Sequence, residues 1–455
     1  MDTAKYVEGL IARARIAQKE YEAFSQERVD ACTRAAGKAV YDHAEELARL
    51  AVDETRMGRY EDKILKNKGK TKMTWLKLKG QKSRGIIRHI PELALVEVAK
   101  PIGVIGAVTP TTNPNMTPAH NAMMALKCGN AIIVCPHPRS TKSAIRTVEL
   151  MREAVAKLGA PADLIQVVES PSVEASTLVM KMTDLCVSTG GPAMVRAAYS
   201  SGRPAFGVGP GNVQCLIDRG ADIVDAAKKI SAGRIYDNGI LCSCEQSVIC
   251  PAEKFDELMA EFVKNGAYQV KDQAEIDRLR AKSFPDGASC KDFVGAPALF
   301  IAKECGLGAP DDCLFLAVAL ERCGRDEPLA KEKLFPVLGV FKYHDWKEAV
   351  AIALANLEED GKGHSCVIHS HDRANIEYAA LTLPVSRFSI NQTGSNSLGG
   401  TIANGLNPTA TLGCGSWGGN SQSENLWFHH LMNVSRIVYP IEGAVMPSDE
   451  EIWAE

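Results

Sequence analysis

Fourteen cysteines are spread along the chain, and one of them stands where a thiol could act as a nucleophile. Gly239-Ile240-Leu241-Cys242-Ser243-Cys244-Glu245-Gln246 follows a helical pattern and precedes an apolar run, QSVIC. A thiol on such a loop has backbone N–H groups beside it, and these can hold negative charge. Spacing alone leaves a nucleophile and a structural thiol both open. Cys242-x-Cys244 has the form of half a metal site. No second Cys/His pair stands at zinc-site spacing, so no metal is expected.

Three further patterns carry chemistry in form. Gly413-x-Gly415-x-x-Gly418 matches a dinucleotide fingerprint, yet no helix opens inside it and no acidic residue follows at the required distance, so it reads as a glycine-rich structural loop. His429-His430 suggests a metal, but neighbouring histidines on a helix are expected to point apart. His364, in Gly361-Lys362-Gly363-His364-Ser365, is placed on a turn before a strand.

The elements that must position these residues follow from periodicity. The first hundred residues read as helices, including one amphipathic run over 27–54 and a lysine-rich stretch, Lys63 to Arg84, taken as a solvated helix face. A hairpin is expected over 85–100. From residue 101 short apolar runs alternate with helical patterns: PIGVIGAVTP, AIIVCPH, LIQVVE, DLCVSTG and PAFGVG are strands with helices between them. That alternation means a parallel sheet covered on both faces. Ligands bind such sheets at the carboxyl ends of the strands. Those ends are Thr109-Pro110-Thr111-Thr112-Asn113, Pro136-His137-Pro138-Arg139, Thr189-Gly190-Gly191 and the glycines from Gly207 to Gly211, so a nucleotide crevice is expected there. A second α/β unit begins near 212, with NVQCLID as a strand and 222–238 as a helix. The fold class is α/β with two Rossmann-type parallel-sheet domains.

Composition narrows the function classes. The 455 residues carry a net charge of −3 with 24% charged residues, which argues against nucleic acid as the main partner. The charged N-terminal segment lacks the apolar core of a signal peptide, and no apolar stretch reaches the ~18 residues of a transmembrane helix. Unpatterned cysteines in such a chain indicate a reducing compartment, here the cytoplasm.

Taken in order, PIGVIGAVTPTTNP, AIIVCPHPRS, STGG, FGVGPGNVQ, YDNGILCSCEQS, KEKLFPVLGV, GKGHSCVIHS and LGCGSWGGNSQSENL resemble the aldehyde dehydrogenase superfamily, in its CoA-acylating branch. The chain looks most like CoA-dependent succinate-semialdehyde dehydrogenases and is also similar to acylating sulfoacetaldehyde dehydrogenases. The resemblance implies a cofactor-binding domain over 1–211 carrying the 85–100 oligomerisation hairpin, a catalytic domain over 212–405, and a return over 406–455 ending in an oligomerisation strand. It implies that Cys242 is the nucleophile, that Glu332 meets the nicotinamide ribose, and that His137, Arg139, Gly190 and Gly191 meet adenosine and phosphate, with Thr109, Pro110, Thr111, Thr112 and Gly209 completing the crevice. Asn113 or Thr112 would hold the oxyanion, His364 would act as acid/base or on the CoA side, and Thr111, His120, Ser243 and Asn391 would line the aldehyde pocket. NAD or NADP is the implied cofactor, with Arg139 available to a 2′-phosphate. The implied assembly is a homodimer or homotetramer, free in the cytoplasm or inside a bacterial microcompartment.

One departure bears on mechanism. Hydrolytic members usually read Glu-Leu-Gly-Gly where this chain has Gly207-Val208-Gly209-Pro210-Gly211. Without that carboxylate water lacks a general base, and a thiol such as CoA is the better acceptor. The expected activity is therefore reversible conversion of a small acidic aldehyde, CoA and NAD(P)+ to acyl-CoA and NAD(P)H. Sulfoacetaldehyde or an acetaldehyde-type substrate is the alternative, and a non-catalytic partner subunit or shell-associated protein is a remote one.

Overall fold

The computed structural model describes residues 2–454. Four helices open the chain: Thr3–Tyr21, Gln26–Asp42, Ala44–Thr55 and Tyr60–Leu78. Asp2 and Ser25 cap the first two by accepting main-chain N–H bonds with their side chains. The amphipathic run expected over 27–54 breaks at His43, which leaves helical geometry at φ −102° and ψ 22°. Both halves still bury their apolar sides, Val29, Cys32, Ala36 and Val40 in one, Leu47, Ala48 and Ala51 in the other.

Fifteen strands follow: β1 (Gly85–Ile90), β2 (Leu95–Pro101), β3 (Val104–Thr109), β4 (Ala131–Pro136), β5 (Ile165–Val167), β6 (Leu185–Thr189), β7 (Ala205–Val208), β8 (Val213–Ile217), β9 (Glu245–Pro251), β10 (Ala267–Val270), β11 (Phe315–Ala319), β12 (Val337–Tyr343), β13 (Cys366–His369), β14 (Phe388–Ile390) and β15 (Met432–Val438). β3 to β7 form one parallel sheet in the order β5-β4-β3-β6-β7. Every residue of β3 and β4 is buried, as expected when helices cover both faces. The strand order reverses between β3 and β6, and the crevice for a ligand opens there.

β8 to β14 form a second parallel sheet, ordered β10-β11-β12-β9-β8-β13-β14. Its strands alternate between two cores. Cys215 and Ile217 of β8 pack with Val248 and Leu338 on one face, whereas Leu216 packs with Ile249 and Phe341 on the other. The period of two is thus hidden inside sequence that is apolar throughout.

The expected hairpin is present, β1 and β2 joined by a 3-10 turn over Pro91–Leu93. β15 returns to pair antiparallel with β2, from Met432 opposite Pro101 to Val438 opposite Leu95. Ile437, Val438 and Tyr439 are exposed on this arm. No helix among the described residues is long and apolar enough to cross a membrane. Around Gly413 the chain is loop with a 3-10 turn at Ser416–Gly418.

Candidate active site

The segment that presents Cys242 begins where a helix is forced to stop. The expected helix over 222–238 ends at Ile235, and Asp237, Asn238 and Gly239 then adopt φ of 51°, 54° and 66°. Two successive non-glycine residues in the left-handed region cost on the order of 1–3 kcal/mol each, so contacts elsewhere must hold them. Asp237 supplies most of these contacts. Its fully buried carboxylate accepts the Arg59 N–H at 2.8 Å, Lys63 Nζ at 3.1 Å and Lys66 Nζ at 2.5 Å. Its own N–H donates to Asp62 at 2.9 Å, and Asn238 Nδ2 donates to the Gly295 carbonyl at 2.9 Å.

One stripe of the lysine-rich helix is therefore a clamp on this loop, whereas Lys72, on another side of it, is exposed as a solvated face would be. Lys63 and Lys66 are 3% and 5% exposed, and Asn67, Thr71 and Thr74 are buried along the same stripe. Burial pushes the Lys63 ammonium down to about 8 against the pull of Asp237. Burial alone would raise the Asp237 carboxyl, but Lys66 and Lys63 outweigh it and hold it below its ordinary value.

A second brace comes from Arg234, whose buried guanidinium donates to the carbonyl oxygens of Glu245, Gly239, Lys333 and Phe335. It ties the cysteine loop to the segment that carries Glu332. Glu332 Oε1 accepts the Gly211 N–H at 2.7 Å, and the Glu332 N–H donates to Asp360 at 3.0 Å. Burial and then Asp360 push the Glu332 carboxyl up to about 8. Gly211 lies flat against the Cys242 loop. A Cβ there would stand 2.7 Å from Cys242 Cβ and inside the Cys242 carbonyl.

Cys242 lines a cavity of about 1140 Å³, its mouth included. The cavity lies past the carboxyl ends of β3, β6 and β7 and before the first residues of β8, β9 and β12, hence between the two large sheets. Of the residues expected at a site, Pro110, Thr112, Asn113, His120, Gly190, Gly191, Gly209, Ser243 and Glu332 share it with Cys242. Burial raises the Cys242 thiol well above its ordinary value; Glu332, Cys414 and Cys244 raise it further, and Arg387 opposes them. His120 is neutral at physiological pH: burial pushes it down to about 4, with its Nε2 at 2.9 Å from the Pro408 carbonyl oxygen.

Six expected residues do not line this cavity. Thr109 is buried at the end of β3, and Thr111 is half-buried beside it. His137 and Arg139 are exposed past β4, where His137 Nδ1 accepts the Arg139 N–H at 3.1 Å. His364 is sealed from solvent, neither ring nitrogen has a hydrogen-bond partner, and burial with the Arg387 charge holds it neutral, so it does not open on the cavity. Asn391 has φ 53° and spends its side chain on the Ser370 N–H and carbonyl at 3.0 and 2.8 Å. It faces a different cavity, separated from that of Cys242 by Lys66 and Lys70.

Lys66, Lys70, Thr117 and Ser395, which the sequence did not single out, also line the Cys242 cavity, as does Thr189 of the expected crevice. A signal was present for the lysines. Positions 63, 66, 70 and 74 fall on one helical stripe with the uncharged Asn67 and Thr71 beside it, and its one non-lysine member, Thr74, is uncharged too. The histidine pair also differs from expectation. His429 and His430 sit on a 3-10 turn, not an α-helix, and their rings stack at 4.1 Å instead of diverging. Glu424 lies 3.5 Å from His429 and 3.9 Å from His430, and none of the three lines the cavity.

The profile of the aldehyde dehydrogenase family matches residues 1–283. The chain is 50% identical, over 98% of its own length and 98% of the relative's, to succinate-semialdehyde dehydrogenase (acetylating) of Clostridium kluyveri. It is 38% identical, over 97% and 96% of the two lengths, to sulfoacetaldehyde dehydrogenase (acylating) of Bilophila wadsworthia. The crystal structure of an acetylating aldehyde dehydrogenase from Geobacillus thermoglucosidasius superposes with a TM-score of 0.94 at 33% identity, covering 98% of each chain. A cysteine loop clamped between two parallel sheets, matched over nearly the whole length in sequence and in fold, places the chain in the aldehyde dehydrogenase family.

Proposed function

We propose that the protein is a CoA-acylating aldehyde dehydrogenase that uses Cys242 as nucleophile, NAD or NADP as cofactor and a small acidic aldehyde, succinate semialdehyde first, as substrate. The observation that carries this reading is the cavity itself. Cys242 opens into it beside Gly209 and Pro210, and its one carboxylate among the described residues, Glu332, is tied to the Gly211 N–H. No free carboxylate stands ready to activate water, which favours a thiol acceptor.

The crevice suits a dinucleotide. It opens where the strand order reverses, a Cβ on Gly191 would meet nothing within 4 Å, and Gly191 leads into the Pro192–Tyr199 helix with no side-chain cap. Pro110, Thr112, Gly190, Gly191, Gly209 and Glu332 would hold the cofactor, with His137 and Arg139 near the outer, adenosine end. When bound, the nicotinamide accepts the hydride of the aldehyde carbon.

The chain's own residues perform the rest. The Cys242 thiol gives up its proton to solvent, the thiolate sulfur bonds to the aldehyde carbon, the carbonyl π bond breaks and the oxygen takes the negative charge. Asn113 and the main-chain N–H groups of the cysteine loop stabilise that oxyanion in a water-poor cavity. Loss of the hydride leaves a thioester on Cys242. The CoA thiolate then attacks the thioester carbonyl, the Cys242 sulfur leaves, and acyl-CoA departs. One thioester replaces another, so the sequence runs in either direction.

The three-stranded arm, with its exposed apolar residues, supports a homodimer or homotetramer, and fourteen free cysteines support a reducing cytoplasm. The test is NAD(P)H formation from succinate semialdehyde with and without CoA. The expected result is strict dependence on CoA, and equal rates without it would mean that water is the acceptor.

A further inference from the structure

We infer that the wall of the cavity formed by Lys70, Thr117 and Ser395 is a subsite for an anionic group at the far end of the aldehyde, a carboxylate or a sulfonate, with Lys70 as its counter-charge. The inference rests on the acyl-transfer reading of the cavity and specifies its substrate class.

Lys70 lies one helical turn beyond Lys66 and lines the same cavity as Cys242. Two lysines of this helix, Lys63 and Lys66, share the fully buried carboxylate of Asp237, and Lys70 makes no bond to it. Lys70 Nζ has one protein hydrogen-bond partner, the Gly399 carbonyl oxygen at 3.1 Å, and forms no ion pair among the described residues. A carbonyl oxygen satisfies one of its three N–H groups and none of its charge. Burial and the neighbouring Lys66 push the Lys70 ammonium down to about 8, so it stays mostly protonated at neutral pH.

Two hydroxyls on this cavity wall are also unpartnered. Thr117 Oγ1 and Ser395 Oγ are buried, on residues 1% and 2% exposed, with no hydrogen-bond partner. Buried hydroxyls without partners are uncommon in folded proteins and call for a ligand or water. Either can donate to an anionic oxygen. His120, on the same lining, commits Nε2 to Pro408 and remains neutral, so it adds no second positive charge. An unpaired cation with two orphaned donors is what an acidic substrate would complete, and an uncharged aldehyde would leave all three unsatisfied.

The experiment compares wild type, Lys70→Met and Lys70→Arg with succinate semialdehyde, sulfoacetaldehyde and the uncharged four-carbon aldehyde butanal, CoA present throughout. A hydrogen bond to a charged group contributes roughly 1.5–3 kcal/mol, so Lys70→Met should lower the ratio of kcat/KM for the preferred anionic aldehyde over butanal by about 10- to 100-fold. The loss should fall mainly on KM, and Lys70→Arg should recover much of the ratio. The anion whose ratio falls identifies carboxylate or sulfonate as the group bound. An equal loss for all three aldehydes makes Lys70 merely structural and overturns the subsite. Calorimetry with succinate and with an alkyl sulfonate keeps the two readings separate. Anion binding that is lost in Lys70→Met supports the subsite even if no aldehyde is turned over, whereas equal binding, or none to wild type, overturns it.

Discussion

Cys242 works against its surroundings: burial and the nearby Glu332 both disfavour its thiolate. Glu332 is itself pushed up to about 8, by burial and then by Asp360. A carboxylate beside the sulfur raises the thiol pKa, so removing it lowers that pKa. Glu332→Gln should shift the pH profile of Cys242 alkylation, followed by peptide mass spectrometry, to lower pH; an unmoved or raised profile would mean that the charge of Glu332 does not reach the sulfur. Gly211 makes a second prediction at this scale. A Cβ there would occupy the space of the Cys242 main chain. Gly211→Ala should displace the nucleophile and lower kcat by about 100-fold, since a shift near 1 Å is worth that much. A kcat within threefold of wild type would contradict the packing. The place of Cys242 on a cavity-lining loop and the carboxylate-free run Gly207–Gly211 were legible in the sequence, because loop motifs keep their residues local. Lys70 was overlooked, since a run of lysines looks much the same whether its stripe faces solvent or a cavity, and only its place on the 63, 66, 70, 74 stripe set it apart. Asn391 misled because its position in the chain gives no hint that Ser370 occupies its side chain.

At the scale of elements, the clamp between the Tyr60–Leu78 helix and the loop at Asp237 holds three left-handed residues in a row. Asp237→Asn leaves Lys63 and Lys66 without their buried counter-charge, and breaking such a pair costs about 3–5 kcal/mol. A fall in Tm with loss of turnover is expected, and a Tm unchanged within a degree would refute the clamp. The Asp237 carboxyl lies below its ordinary value in the fold. Its contribution is therefore complete above the ordinary carboxylate value and is lost as pH falls through the lowered one. Asp237→Asn should abolish that acid-side loss. The βα alternation of residues 104–208 was legible, because buried parallel strands read as unbroken apolar runs between helices. The end of the helix at Ile235 was not, since local propensity carries it on to 238 and distant contacts, Arg59, Asp62, Lys63, Lys66 and Gly295 among them, overrule it.

For the whole molecule, the active cavity belongs to neither large sheet alone. The five-stranded sheet supplies its carboxyl-end loops and the seven-stranded sheet its entering loops, so the site exists only once both have packed. The sequence could suggest two α/β units but not their facing ends, which depend on contacts such as the Gly211 N–H to Glu332. The arm extends this outward: Val438, Val445 and Met446 are 71%, 85% and 82% exposed. Apolar surface of this kind marks an interaction site. Val445→Asp with Met446→Asp should lower the molar mass measured by light scattering toward that of one chain, and an unchanged mass would place the contact elsewhere.

The proposed activity passes through a thioester on Cys242, which can be trapped. The protein is incubated with succinyl-CoA without reduced cofactor, digested and read by peptide mass spectrometry. One acyl group is expected on the peptide containing Cys242, released by hydroxylamine and absent in Cys242→Ala. Acylation of Cys414 or another cysteine, or none at all with an acyl-CoA that the protein turns over, would contradict it.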